Sequence, residues 1–197
     1  LAGPLLAEQM ETAADNYIAQ RERKQARIYK AILIGLAILA AALRFYNLGA
    51  APLWYDEAFT DLATALPLPR MMQALAGDVH PPAHYLMLWG IQGLGLDGPW
   101  GLRLLSALFS LGSVLLAGWL SREITGSRTA QLITVFLMAC NPMNLHYAQE
   151  ARMYALLQLL VLLGMLAIYR RSWILLGAST WILLLTHTYG LFYAASL

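Results

Sequence analysis

Five apolar stretches dominate the chain and are separated by short polar segments. They cover residues 28–48, 102–120, 130–145, 153–169 and 173–192. Each contains about 16 to 21 residues, close to the length with which an α-helix crosses the hydrocarbon core of a bilayer. The pattern predicts an all-α membrane protein with about five spans and with additional short helices at the membrane surface.

The first 30 residues are polar and end in a basic block over residues 21–30. Lys and Arg beside a span are typical of its cytoplasmic side. We therefore expect residues 1–30 to form a cytoplasmic basic helix and residues 31–197 to form the transmembrane module, with Arg44 snorkelling outward from the first span. A signal peptide cleaved near residues 40–42 is the alternative, but about 30 residues precede the apolar core, which is unusual for a signal peptide.

The basic connections predict the orientation of the remaining spans. Residues 121–128 and the pair Arg170-Arg171 should both face the cytoplasm. The apolar segment 83–96 has only about 14 residues, and counting it as a span would place both basic connections outside, so we expect an interfacial or re-entrant helix there. The external face then carries the loop 47–101, the turn at 141–152 and the end of the last span.

Composition agrees with a membrane protein. The chain is 59% hydrophobic and 12% charged, with a mean hydropathy of +0.56, which lies outside the range of an ordinary soluble domain. A net charge of +2 does not indicate a nucleic-acid partner. The single Cys140 excludes a disulfide framework within the chain.

Three polar clusters fall on the predicted external side. They are the segment 54–60 with the adjacent carboxylates Asp56 and Glu57, the triplet His80-Pro81-Pro82, and the segment 146–152. Two carboxylates at a membrane surface cost free energy unless they are solvated or perform chemistry. A solvated loop within an aromatic belt is the alternative for the first cluster alone, but the three together predict one external site.

Five blocks of the chain, in order, resemble the N-terminal part of bacterial GT-C glycosyltransferases of the protein O-mannosyltransferase-like, family 39 type. The blocks are residues 53–58, 79–85, 103–109, 147–156 and 185–192. The resemblance covers roughly residues 28–197 and implies a GT-C-like N-terminal module of a multi-pass protein in the bacterial inner (plasma) membrane. It also implies a sugar donor on polyprenyl phosphate and an external protein, lipid or glycan acceptor.

The same resemblance implies the catalytic residues. In the family the first external loop carries an Asp-Glu pair whose Asp is the general base, which corresponds to Asp56. Asp56 and Glu57 are therefore the catalytic candidates. Adjacent residues of a helix diverge by about 100°, so we expect Glu57 to serve as a structural partner of the base.

Substrate-binding candidates share the external side. Arg103 and Arg152 are candidate phosphate ligands because guanidinium matches phosphate oxygens, although both could instead snorkel from the ends of spans. Helical spacing puts His146, Glu150 and Tyr154 on one face, and Tyr154 stands where related transferases tend to carry an Asp, so Glu150 is the candidate substitute. The full candidate set adds His80 and His187.

A divalent metal ion is a candidate cofactor, since divalent-ion dependence occurs in some GT-C relatives, but no dedicated zinc signature is present. GT-C enzymes usually continue for several hundred residues, so we expect this chain to be part of a longer polypeptide. The alternative function is a non-catalytic GT-C-like membrane subunit of a larger complex. A transporter is less favoured, because we expect no charged residue in the middle of a span.

Overall fold

The computed structural model describes the backbone of residues 2–196 and the side chains of residues 16–196. Every regular element in this part of the chain is an α-helix, in agreement with the all-α prediction. The helices are α1 (Ala2–Phe45), α2 (Tyr55–Thr64), α3 (Leu68–Leu75), α4 (Ala83–Gly93), α5 (Gly98–Thr125), α6 (Arg128–Cys140), α7 (Pro142–Ala148), α8 (Tyr154–Arg170), α9 (Trp173–Leu184) and α10 (Gly190–Ala195).

Within residues 16–196, two helices are long and apolar enough to cross a membrane. They are the Asn16–Phe45 part of α1, with 30 residues, and α5, with 28 residues. Three shorter apolar helices correspond to the other predicted spans, namely α6, α8 and α9. The segment 83–96 contains the 11-residue helix α4, which at 1.5 Å per residue is about half the thickness of the hydrocarbon core.

Two predicted spans are interrupted where the sequence carries helix-ending residues. The stretch 130–145 breaks at Asn141, whose side chain caps α7, and at Pro142, which begins α7. Proline lacks an N–H group and is favoured at the first position of a helix. The stretch 173–192 breaks between α9 and α10, where the chain turns through residues 185–189.

The central helix is α5, which packs against α1, α6 and α8. Gly118 permits the close approach of α6, since a Cβ there would lie 2.3 Å from Cγ2 of Val135. Small residues at helix contacts allow this spacing in membrane bundles. Outside the bundle, α2, α3 and α4 share a small apolar core that includes Ala63, Met71 and Tyr85.

The expectation that Arg44 snorkels outward is wrong, because its side chain is fully buried. Its guanidinium donates to the Oγ atom of Ser110 and to the carbonyl oxygens of Ala40, Ala139 and Met138, at 2.9 to 3.3 Å. The carbonyl of Met138 would ordinarily accept from the residue four positions later, which is Pro142 and has no N–H. Arg44 supplies the missing donor and so joins α1 to the end of α6.

Candidate active site

The adjacent carboxylates Asp56 and Glu57 lie in the first turn of α2, where the positive end of the helix dipole favours anions. Their side chains diverge. Glu57 is fully buried, whereas the side chain of Asp56 is 37% exposed and faces a cleft. Of these two carboxylates, only that of Asp56 is accessible to a substrate.

Glu57 is held by Arg103 of α5. The Nε and Nη2 atoms of Arg103 donate to the two carboxylate oxygens at 2.9 and 2.6 Å, and the backbone N–H of Ala151 donates to the same carboxylate at 2.7 Å. Burial alone would raise the pKa of Glu57, but the bonds from Arg103 and Ala151 outweigh it and hold the pKa below its usual range. Glu57 therefore ties together α2, α5 and the turn before α8.

The donors of Arg103 are all engaged within the protein. Besides Glu57, its guanidinium donates to the carbonyl oxygens of Leu48, Ala51 and Pro52 at 2.9 to 3.1 Å. A guanidinium has five N–H groups, and these five contacts use them. Arg103 therefore stabilises the loop between α1 and α2. The prediction that it binds a substrate phosphate is not met by this geometry, because no N–H group of its guanidinium remains free.

The cleft beside Asp56 has a volume of about 520 Å³, within the range of small-molecule sites. Its lining residues are Tyr55, Asp56, Phe59, Ala74, Gly77, Asp78, Val79, His80, Tyr85 and Arg152. Nη2 of Arg152 lies 3.5 Å from the Oδ2 atom of Asp56. Although the Arg152 side chain is only 7% exposed, its Nε atom has no hydrogen-bond partner. Because this Nε atom is buried, the part of Arg152 that a substrate can meet is the end of the guanidinium, whose Nη2 atom lies beside Asp56 at the cleft.

His80, which lines the cleft, belongs to an aromatic cluster with His187 and Tyr154. The ring centroids of His80 and His187 are 5.1 Å apart, and those of Tyr154 and His187 are 5.9 Å apart. The backbone explains the meeting, since the N–H of Ala83 at the start of α4 donates to the carbonyl oxygen of Leu185 after α9 at 2.9 Å. Three residues from distant parts of the sequence thus form one cluster, and His80 places this cluster beside the cleft.

Glu150 is not among the residues that line the cleft, and it contacts His146, with 3.2 Å between Oε1 and Nε2. Burial raises the pKa of Glu150, an effect partly opposed by His146. His146 and Glu150 are in contact, as their i, i+4 spacing predicted, but the prediction of one helical face shared with Tyr154 is wrong, because α7 ends at Ala148 and α8 begins at Tyr154. The chain leaves the helical path between them, and the N–H of Ala151 bonds to Glu57 instead of a helix carbonyl.

A family model described as dolichyl-phosphate-mannose-protein mannosyltransferase matches residues 70–192, which is more than half of the chain. The chain belongs to this protein mannosyltransferase family. Its members are membrane glycosyltransferases that use a sugar on polyprenyl phosphate. No curated protein and no solved structure matches the chain. The matched residues include Arg152, His80 and His187, whereas Asp56 and Glu57 precede them.

Within this protein mannosyltransferase module, Asp78 is a cleft residue that sequence reasoning missed. Its carboxylate accepts from the Tyr85 hydroxyl at 2.6 Å and from the N–H of Val79 at 2.7 Å, and it lies 3.5 Å from Nδ1 of His80. Burial would raise the pKa of Asp78, but these contacts lower it. The signal available in the sequence was an acid two residues before the His80-Pro81-Pro82 triplet.

His84, on the buried face of α4, lies behind the cleft wall and near Arg152. Burial, with a smaller effect from the Arg152 charge, lowers the pKa of His84 to about 3. It is therefore neutral at physiological pH and adds no positive charge behind Arg152. Its Nε2 atom has no hydrogen-bond partner in the described part of the chain.

The residues with described side chains contain no group of three or more His, Cys, Asp or Glu arranged to hold a metal ion. The donor set at the cleft therefore does not form a recognisable metal site by itself.

Proposed function

We propose that this protein transfers a sugar from a polyprenyl-phosphate donor to an acceptor hydroxyl on the external side of the bacterial inner membrane, with Asp56 as general base. The observation that carries the proposal is the Asp56–Arg152 pair, at 3.5 Å, on the wall of the cleft. The family match supports the donor class. The pair provides a proton acceptor and a permanent cation, which this transfer requires.

The reaction follows from these two groups. The carboxylate of Asp56 takes the proton of the acceptor hydroxyl, and the acceptor oxygen bonds to the anomeric carbon of the sugar. The bond from that carbon to the phosphate oxygen breaks, and its electron pair leaves with the polyprenyl phosphate. Arg152, through the end of its guanidinium beside Asp56, stabilises the charge that grows on the departing phosphate.

The buried Glu57–Arg103 pair acts as the positioning element. Glu57 is adjacent to Asp56 in the chain, and its carboxylate also binds the N–H of Ala151, which is adjacent to Arg152. One buried carboxylate thereby sets the separation between the base and the cation. We propose that the substrate-facing role belongs to Arg152, with His80, Tyr154 and His187 forming the wall that contacts the sugar or acceptor.

Replacing Arg152 with Lys is expected to lower kcat/KM for the polyprenyl-phosphate donor roughly 10- to 100-fold, the loss typical of one charge-assisted hydrogen bond. An ammonium keeps the charge but cannot reproduce the guanidinium fork. The measurement is transfer from a radiolabelled polyprenyl-phosphate sugar by the full protein in detergent. Arg70→Lys is the matched control, because Arg70 is exposed on α3. Equal activity of both variants would remove Arg152 from donor binding.

We further propose that α1, α5, α6, α8 and α9 provide about five crossings, with residues 47–101 external and α4 along the surface. In a variant whose native Cys140 is replaced by Ala, a cysteine at Asp97 should react with a membrane-impermeant maleimide from the external side. A cysteine at Ser127, in the loop between α5 and α6, should react only after the membrane is opened. Reaction of the first variant from the cytoplasm alone would overturn this topology.

A further inference from the structure

At the end of the bundle away from the cleft, two arginines share one aromatic ring. The guanidinium carbon of Arg122 lies 5.4 Å from the ring centroid of Tyr29, and that of Arg128 lies 5.3 Å from the same centroid. Both are cation–π contacts. Tyr29 is held in turn by its hydroxyl, which donates to the Oε1 atom of Gln131. The group therefore joins α1, the end of α5 and the start of α6.

The cluster of Tyr29, Arg122 and Arg128 lies at the depth of the bilayer surface opposite the cleft. Arg103, near the cleft, and Arg122 are separated along α5 by a rise of about 28 Å at 1.5 Å per residue, which approximates the thickness of the hydrocarbon core. Aromatic side chains collect at that depth, and here Trp119 stacks under Arg170 at 4.9 Å. The two arginines thus occupy the depth of lipid headgroups.

Neither arginine has an acidic partner among the residues whose side chains are described. The ion pairs at this end include Arg170 with Glu123, at 3.6 Å, but none that involves Arg122 or Arg128. The Nη1 atom of Arg122 is buried and has no hydrogen-bond partner. A cation left without an anion at a low-dielectric boundary is costly, so the arrangement favours an anion supplied from outside the chain.

A second feature also favours an anion. Arg128 is the first residue of the 13-residue helix α6, so the first-turn N–H groups of that helix begin beside its side chain, although the N–H of Ala130 is already capped by the Ser127 hydroxyl. Beside Arg128 is a groove of about 470 Å³, lined also by Glu22, Arg23, Gln25 and Ala26. A headgroup has space to enter from the side of α1.

We propose that Arg122, Arg128 and Tyr29 form a binding site for the phosphate headgroup of an anionic phospholipid. A guanidinium group matches phosphate oxygens, and the Tyr29 ring holds two such groups within 5.4 Å of its centroid. The depth at the bilayer surface favours a membrane lipid over a soluble phosphate. The bound lipid would join α1 to the connection between α5 and α6.

The test is the retention of lipid by the full protein, purified from vesicles of phosphatidylcholine with and without phosphatidylglycerol, by native mass spectrometry. The wild type is expected to retain phosphatidylglycerol selectively. Arg122→Gln combined with Arg128→Gln should weaken this binding roughly 20- to 30-fold, as expected for two basic side chains at the membrane surface. Arg170→Gln combined with Arg171→Gln removes the same charge at the same end and should weaken binding only about 5-fold, the contribution of Arg171, since Arg170 already has Glu123.

Three outcomes would overturn the proposal. They are no preference of the wild type for phosphatidylglycerol over phosphatidylcholine, equal losses in the two double variants, and displacement of the lipid by inorganic phosphate at comparable concentration. The first and third need no variant, so they stand even where a substitution impairs folding. Polyprenyl phosphate added in place of phosphatidylglycerol distinguishes a general lipid site from one that holds the reaction product.

Discussion

Asp56→Asn is expected to lower the rate of sugar transfer by about two to four orders of magnitude, the usual contribution of a general base. The substitution preserves the size of the side chain and its position at the start of α2, but the amide cannot take the acceptor proton. Because the Asp56 side chain is partly exposed, folding should be little affected. The loss should therefore lie in kcat, with a small change in KM.

The measurement is single-turnover transfer from a polyprenyl-phosphate sugar, together with the yield of folded protein in the membrane. Asp61→Asn is the matched control, because it makes the same change on the same helix at a residue bonded to Gln92, 2.9 Å away, on the wall of a different cleft. Nearly normal transfer by Asp56→Asn would exclude Asp56 as the base. Absence of transfer by the wild-type full protein would instead favour the non-catalytic subunit.

Glu57→Gln is expected to destabilise the folded protein by about 3 to 5 kcal/mol, the typical result of removing one partner of a buried ion pair. The change leaves the buried guanidinium of Arg103 without a counter-charge, and it weakens the anchor of the Ala151 N–H. Thermal unfolding in detergent should show a lower Tm. Transfer should fall too, because the 48–57 loop and the turn at 151–152 lose their shared support.

The matched control is Glu123→Gln, which breaks the exposed pair with Arg170 at 3.6 Å and should change stability by less than about 1 kcal/mol. Equal Tm values for Glu57→Gln and Glu123→Gln would contradict a stabilising role for the buried pair.

The same pair predicts a pH dependence. The pKa of Glu57 is lower in the folded protein than its usual value of 4.5, so the unfolded chain binds the proton more tightly. The stabilisation is therefore complete above the usual value and is lost as the pH falls through the folded value. Tm of the wild type should drop in that acid range more steeply than Tm of Glu57→Gln. Parallel curves would show that Glu57 does not contribute to the acid sensitivity.

Several features could be derived from the sequence because they depend on neighbouring residues. The apolar stretches became helices, and α4 is too short to cross a membrane. The divergence of Asp56 and Glu57 follows from the angle between successive residues of one helix. The interruption of the 130–145 stretch at Pro142 can also be predicted from neighbouring residues, since proline removes a backbone donor. The apolar pattern alone suggests a continuous span.

The roles of the arginines depended on the tertiary structure. Arg44, Arg103 and Arg152 are chemically identical in the sequence, yet Arg44 joins helices, Arg103 supports a loop and Arg152 faces the cleft. Their partners lie far away along the chain, at a separation of 46 residues for Arg103 and Glu57 and of 94 residues for Arg44 and Met138. Asp78 was overlooked for a related reason, because its importance comes from the Tyr85 and His80 side chains that the fold turns toward it. Helical periodicity is a local property that the sequence determines, whereas the partner of a buried charge is set by which helices pack together, and only the tertiary structure decides that.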